Sequence, residues 1–165
     1  MSLVPAVSAY EIVLAVHIVA VVVTFGVIFA YPIIFAVGAR ADPRALPLLH
    51  RVEYSIERRL VNPALVLVLG AGIYLASDRH LWSEFLVQWG IGVVIVIGGL
   101  SGAVMIPASK RAEETAQRDI EAAGAGEVQL SEQYRALVRR LNLVGTLMGL
   151  LVVATIFVMV IRPGS

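Results

Sequence analysis

Residues 10–38 read YEIVLAVHIVAVVVTFGVIFAYPIIFAVG. Between Glu11 and Arg40 no residue is charged, and one histidine, His17, sits in the first third of the run. A helix of about 20 apolar residues crosses the roughly 30 Å hydrocarbon core of a bilayer. Lipid offers no partner to backbone N–H and C=O groups, so such a run must be helical. A cleaved signal peptide has a basic start and an apolar core of about 7–15 residues. Here no Lys or Arg precedes Arg40. The apolar run is also roughly twice that core length, so we read it as a retained span.

The rest of the chain has the same character. Of its 165 residues 59% are apolar and 15% charged, and the mean hydropathy is +0.86. An average soluble domain is about 45–50% apolar and about 25% charged. The net charge of +1 gives no field for a nucleic acid, so no nucleic-acid partner is expected. With no cysteine, disulfides, thiol catalysis, zinc–thiolate sites and iron–sulfur clusters are excluded. Four segments are apolar enough to span, at about 12–37, 60–76, 85–108 and 141–161. No alternating strand pattern supports a barrel. The expected fold is therefore all-α, an integral membrane four-helix bundle forming a single transmembrane domain over 1–165.

The charges set an orientation. Eleven of the 13 basic residues fall in two connections, Arg40 to Arg59 and Lys110 to Arg140, and the opposite side has only Arg79 and Arg162. Basic residues near span ends stay in the cytoplasm. Both long connections are thus expected inside, both termini outside, and the chain in the cell (inner) membrane. Asp42-Pro43 supplies a cap and a first-turn proline. Leu46, Leu49, Val52 and Ile56 follow at helical spacing. Gly124-Ala125-Gly126 divides the second connection into helical arms, Lys110–Ala122 and Ser131–Arg140.

Helices in lipid associate through close backbone approach. Gly98/Gly102 in span 3 and Gly145/Gly149 in span 4 both give Gly-xxx-Gly at similar depth. They predict a close crossing of spans 3 and 4, or a homodimer through the same surfaces. The bilayer is the other partner.

Few polar residues fall within the spans. Thr24, Thr146 and Thr155 can bond back to their own helices. His17 is different. It lies six residues past Glu11, about 9 Å along the helix, where lipid offers its nitrogens nothing. Three readings stand open: a hydrogen bond to a neighbouring helix, with Gln88 at similar depth; ligation of a haem iron; or a proton or substrate route. Trp89 is expected to face the interior beside Gln88.

Three stretches together carry a resemblance. They are HIVAVVVTFGVIFAYPIIF (17–35), ERRLVNPALVLVLGAGIYL (57–75) and a tryptophan-bearing loop before a third span. This order resembles the HemJ protoporphyrinogen oxidase family over about the first half of the chain. It is also similar to uncharacterised four-span bacterial membrane proteins of the DUF2269 type and to CopD-like membrane domains. The residues that match are His17-Ile18, Phe25-Gly26, Tyr31-Pro32, Glu57-Arg58-Arg59-Leu60, Pro63, Gly70 and Gly72. The resemblance implies haem b with His17 as axial ligand. It also implies Arg58 and Arg59 as grips for propionates or an anionic lipid headgroup, with Gln88 and Trp89 nearby. The lysine that family carries near the start of its third span has no counterpart in LWSEFLVQWGIGV (81–93). That departure sets the chain with the uncharacterised relatives rather than with the working oxidases.

Two functions are thus expected: a haem-binding redox protein, or a non-enzymatic accessory or transport-related subunit for a small solute or metal. Soluble enzyme chemistry has no foothold, since no phosphate loop, Ser-His-Asp set or paired carboxylate is visible. Scattered Met105, Met148 and Met159 do not make a soft-metal site.

Overall fold

The computed structural model describes residues 7–161, so Arg162 lies outside the described residues. Helix α1 runs Ala9–Ala41. It starts at a reciprocal cap: Ser8 Oγ accepts from Glu11 N at 3.3 Å, and Glu11 Oε2 accepts from Ser8 N at 2.8 Å. It ends at extended Asp42, whose carboxylate accepts from Arg44 N at 2.9 Å. Pro43 then opens a short 3₁₀ turn, Pro43–Ala45, and the chain continues as α2, Leu46–Ile56. The cap and proline expected at Asp42-Pro43 are both in place.

From there the backbone stays helical to Asp78. A π-helical turn, Glu57–Val61, joins α2 to α3, Asn62–Asp78. The same construction recurs. Helix α4, Phe85–Leu100, passes through a second π-helical turn, Ser101–Met105, into α5, Ile106–Ala123. Gly124, at φ +54°, turns the chain, and α6 runs Glu132–Ile161. Each π turn is followed two residues later by a proline, Pro63 or Pro107. A proline has no N–H for the carbonyl four residues back, and its ring clashes with that carbonyl. A widened turn relieves both, and π turns gather at functional sites.

Four helical segments are long and apolar enough to cross a membrane: Ala9–Ala41, Pro43–Asp78, Phe85–Ala123 and Glu132–Ile161. At 36 and 39 residues, the middle two are far longer than the roughly 20 residues that cross hydrocarbon. Their charged parts, α2 and α5, therefore stand beyond it, and the apolar part of the second segment starts near Leu60. Helix α1 packs on α3 and α6, and α4 packs on the same two, which closes a four-helix ring. Beyond the ring, α2 packs on α5 and α5 on α6.

Each level has its own core. Phe25, Val93, Ile97, Met148 and Val152 fill one part of the bundle. Leu46, Ala108, Ala112, Ala116, Tyr134 and Leu141 fill the charged end. The alanines of α5 recur every four residues, and Ala112 and Ala116 are fully buried. Loop contacts lock this end. Arg44 donates to Gly124 O and Gly126 O, both at 2.8 Å. Asp119 Oδ2 accepts from Ser131 N at 2.8 Å. The two connections are thus a packed helical layer with a buried interior.

The glycines of spans 3 and 4 do something other than expected. Gly98, Gly102, Gly145 and Gly149 all border one internal cavity. A Cβ at Gly102 or Gly145 would meet nothing within 4 Å. Gly149 instead takes a ring from α1, with Phe29 Cε1 3.3 Å from where its Cβ would stand. These four glycines make room between helices, while α4 packs on α6 through other residues such as Trp89 and Thr155.

Candidate functional site

The cavity has a volume of about 720 Å³, within the range of about 300–1,000 Å³ usual for small-molecule sites. It lies inside the ring and reaches up to α2 and the start of α6. Most of its wall is apolar, from Phe25, Ile28, Leu65, Ile97 and Met148 among others. Phe29, Val66 and Leu150 are on its rim and are exposed, so it opens sideways at the depth of the apolar spans. Both π turns face it, through Glu57 and Val61 in one and Ser101, Gly102 and Met105 in the other.

Its polar end sits at the charged layer. Helix α2 places His50 and Glu53 toward it, the π turn that follows adds Glu57, and α6 adds Tyr134. His50, Glu53, Ser109 and Tyr134 are all buried. Ser109 Oγ donates to Glu53 Oε2 at 2.8 Å. His50 Nδ1 lies 3.3 Å from the same carboxylate oxygen, and His50 Nε2 lies 3.3 Å from Tyr134 Oη. One neutral tautomer serves both contacts: Nδ1–H donates to Glu53, and Nε2 accepts from the Tyr134 hydroxyl. Phe35 covers the imidazole, with ring centroids 4.5 Å apart. Ser131 Oγ accepts from Tyr134 N at 3.3 Å and fixes the start of α6.

Glu57 precedes the apolar part of its helix and so stands outside the spanning segment. Burial first, and then the charge of Glu53, push its carboxyl up to about 7. No ion pair among the described residues involves Glu57. Two further groups face the same space without partners. Thr24 Oγ1, on a residue only 1% exposed, and Tyr31 Oη are buried with no hydrogen-bond partner among the described residues. Thr24 therefore does not bond back to its helix, whereas Thr155 does, to Leu151 O at 2.8 Å. Buried unpaired hydroxyls are uncommon because each forgoes a bond it had in water.

The residues marked from sequence go elsewhere. His17 is half-buried at the seam of α1 and α3, and its Nδ1–H donates to Val68 O at 3.0 Å. Gly72 makes room for the ring, with His17 Cε1 3.4 Å from where a Cβ would be. The partner is thus a backbone carbonyl of span 2, not Gln88. Gln88 is exposed, and its Nε2 lies 3.5 Å from Trp82 O. Trp89 does face the interior, but toward α6, where its Nε1 donates to Thr155 Oγ1 at 3.1 Å. Arg58 and Arg59 are exposed. Arg58 is ten residues before Val68, about 15 Å along the helix.

These five residues do not converge, and His17 is not on the cavity wall. Arg58 and Arg59 do not line that wall either. The set therefore does not fit a haem held between an axial imidazole and paired guanidinium groups. No group of three or more His, Cys, Asp or Glu among the described residues could hold a metal ion.

The cluster that does converge was missed from sequence. Neither His50 nor Glu53 was marked from the sequence, and Glu57 was marked only within the matched stretch Glu57-Arg58-Arg59-Leu60. The available signal was one-sided spacing: positions 46, 50, 53 and 57 share a helix face with apolar neighbours.

The profile of a family described as "Predicted integral membrane protein (DUF2269)" matches residues 11–163. No curated protein and no solved structure matches the chain. The match covers all four apolar helices and the charged layer between them, so the chain belongs to the DUF2269 family of predicted integral membrane proteins.

Proposed function

We propose that this chain is a multi-pass protein of the cell (inner) membrane that binds one small amphipathic molecule in its central cavity. The two charged connections face the cytoplasm and the termini lie outside. The protein acts as a non-enzymatic membrane subunit that receives or passes on that molecule. One observation carries the reading: a cavity of about 720 Å³ is apolar along its length and ends in buried carboxyl, imidazole and phenol groups. Binding sites with this division take a ligand whose apolar body fills the channel while a few polar contacts fix its head. The exposed rim at Phe29, Val66 and Leu150 supplies a route from the lipid. The unpartnered hydroxyls of Thr24 and Tyr31 are further contacts a ligand would satisfy.

The test uses detergent-purified full chain and the fluorescent apolar probe N-phenyl-1-naphthylamine. Saturable enhancement is expected, about one site per chain. Gly145→Leu places a branched side chain at the cavity wall, where nothing lies within 4 Å of a Cβ. It should weaken the probe at least about tenfold. A variant that folds and binds as tightly as wild type would overturn the reading.

A further inference from the structure

We propose that the molecule taken by this cavity is a lipophilic organic cation, held at Glu57 and Glu53 and exchanged there for a proton. The inference rests on the cavity reading above and adds the sign of the ligand's charge. It starts from the titratable groups that face Glu57. Helix α1 contributes Tyr31, α2 contributes His50 and Glu53, and α6 contributes Tyr134. Among the described residues no Lys or Arg lines the cavity, and the neighbouring Arg58 and Arg59 are exposed. The nitrogens of His50 are already engaged, by Glu53 and by Tyr134.

The fixed charges on this wall are therefore carboxylates. An anionic head would face like charge there. A neutral head would leave an ionised Glu57, which no ion pair among the described residues engages, without a counter-charge, and that is costly. A cationic head removes both problems. The aromatic rings of Tyr31 and Phe35 line the same end and offer faces to a cation. The Thr24 hydroxyl, buried without a partner on the same wall, is an independent sign that a group from outside completes the site.

The exchange follows from charge balance. Burial and the neighbouring charge of Glu53 favour the neutral form of Glu57, so without ligand Glu57 holds a proton near neutral pH. When a cation enters beside it, Glu57 ionises, and that proton leaves from its partly exposed carboxyl. One positive charge enters as one leaves, and only an O–H bond is broken.

Two probes of one shape and opposite charge decide the matter: tetraphenylphosphonium and tetraphenylborate, competed against N-phenyl-1-naphthylamine on full-length protein. The cation should bind at least about tenfold more tightly than the anion. Glu57→Gln should lower cation affinity about tenfold or more, the loss of one charge-assisted contact, and leave the neutral probe within about twofold. In weakly buffered solution near neutral pH, cation binding should release up to about one proton from wild type and none from Glu57→Gln. Glu57→Asp, which keeps the charge, should keep the preference for the cation, and it stands in if the Gln variant does not fold. Equal affinity for the two ions, or wild-type cation binding by Glu57→Gln, overturns the inference and leaves the cavity reading standing. Neutral-probe binding that ignores Gly145→Leu overturns the cavity reading itself.

Discussion

At the seam of α1 and α3 the imidazole of His17 meets a carbonyl that already belongs to a helix. A carbonyl oxygen has two lone pairs, so Val68 O can accept from His17 and still serve its own helix. Interhelical hydrogen bonds of this kind in lipid are each worth about 1 kcal/mol. His17→Ala should lower stability by about that much, read as fraction folded against sodium dodecyl sulfate. Gly72→Leu should displace the ring, which has only 3.4 Å to a Cβ there. In the His17→Ala background the Gly72 change should cost less, a coupling that a double-mutant cycle measures. Additive losses would sink this account. Glu57 gives a second expectation. Its folded carboxyl titrates near 7 against an ordinary 4.5. The folded chain therefore holds more protons between those values, and its contribution to stability falls as pH rises through that window. Wild type should lose stability from pH 4.5 to 7, and Glu57→Gln should flatten this part of the profile. That His17 was out of place could be read from sequence; its partner could not, since every residue carries a carbonyl and none is marked by its letter.

Among the elements, the two π turns have most to do with the cavity. Each widens a helix where it passes from the charged layer into the bundle, and each turns side chains onto the cavity wall. An extra residue in a turn shifts everything after it by about 100° relative to a regular helix, from 3.6 residues per turn. Deleting Ala103 should remove that offset and rotate α5, carrying Ala108, Ala112 and Ala116 off the buried face they share with Leu46 and Tyr134. The expected result is a thermal midpoint several degrees lower, with loss of probe binding. Ala103→Leu keeps the register at an exposed position and should leave both nearly unchanged. If the deletion is as stable as wild type, the π turns do not set the register of the layer. The spans themselves were legible because hydropathy over 18 residues needs no partner to be recognised. The bulges were not, since a proline inside a long apolar helix reads equally as a kink or a start. Pro63 and Pro107 carry the signal only once both are seen at the same offset from a π turn, which the sequence does not mark.

For the molecule as a whole, orientation decides from which side a ligand's head is read. The charged end, from Arg40 to Arg59 and from Lys110 to Arg140, carries 11 of the 13 basic residues, and the buried Glu53–His50–Tyr134 chain belongs to it. Basic segments beside spans stay in the cytoplasm, so the polar end of the cavity should face inward. That asymmetry was readable from the sequence. What the layer encloses was not, because the cavity is formed by side chains from α1, α2, α4 and α6, with α3 and the π turns, and no window along the chain contains them together. The absence of cysteine makes orientation directly measurable. A single cysteine at Glu127, in the exposed loop before α6, should react with a membrane-impermeant maleimide only after the cells are opened. One at Ser83, in the short loop before α4, should react in intact cells. The reverse pattern would place Glu57 at the outer face, and a cation bound there would then be taken from outside rather than from the cytoplasm.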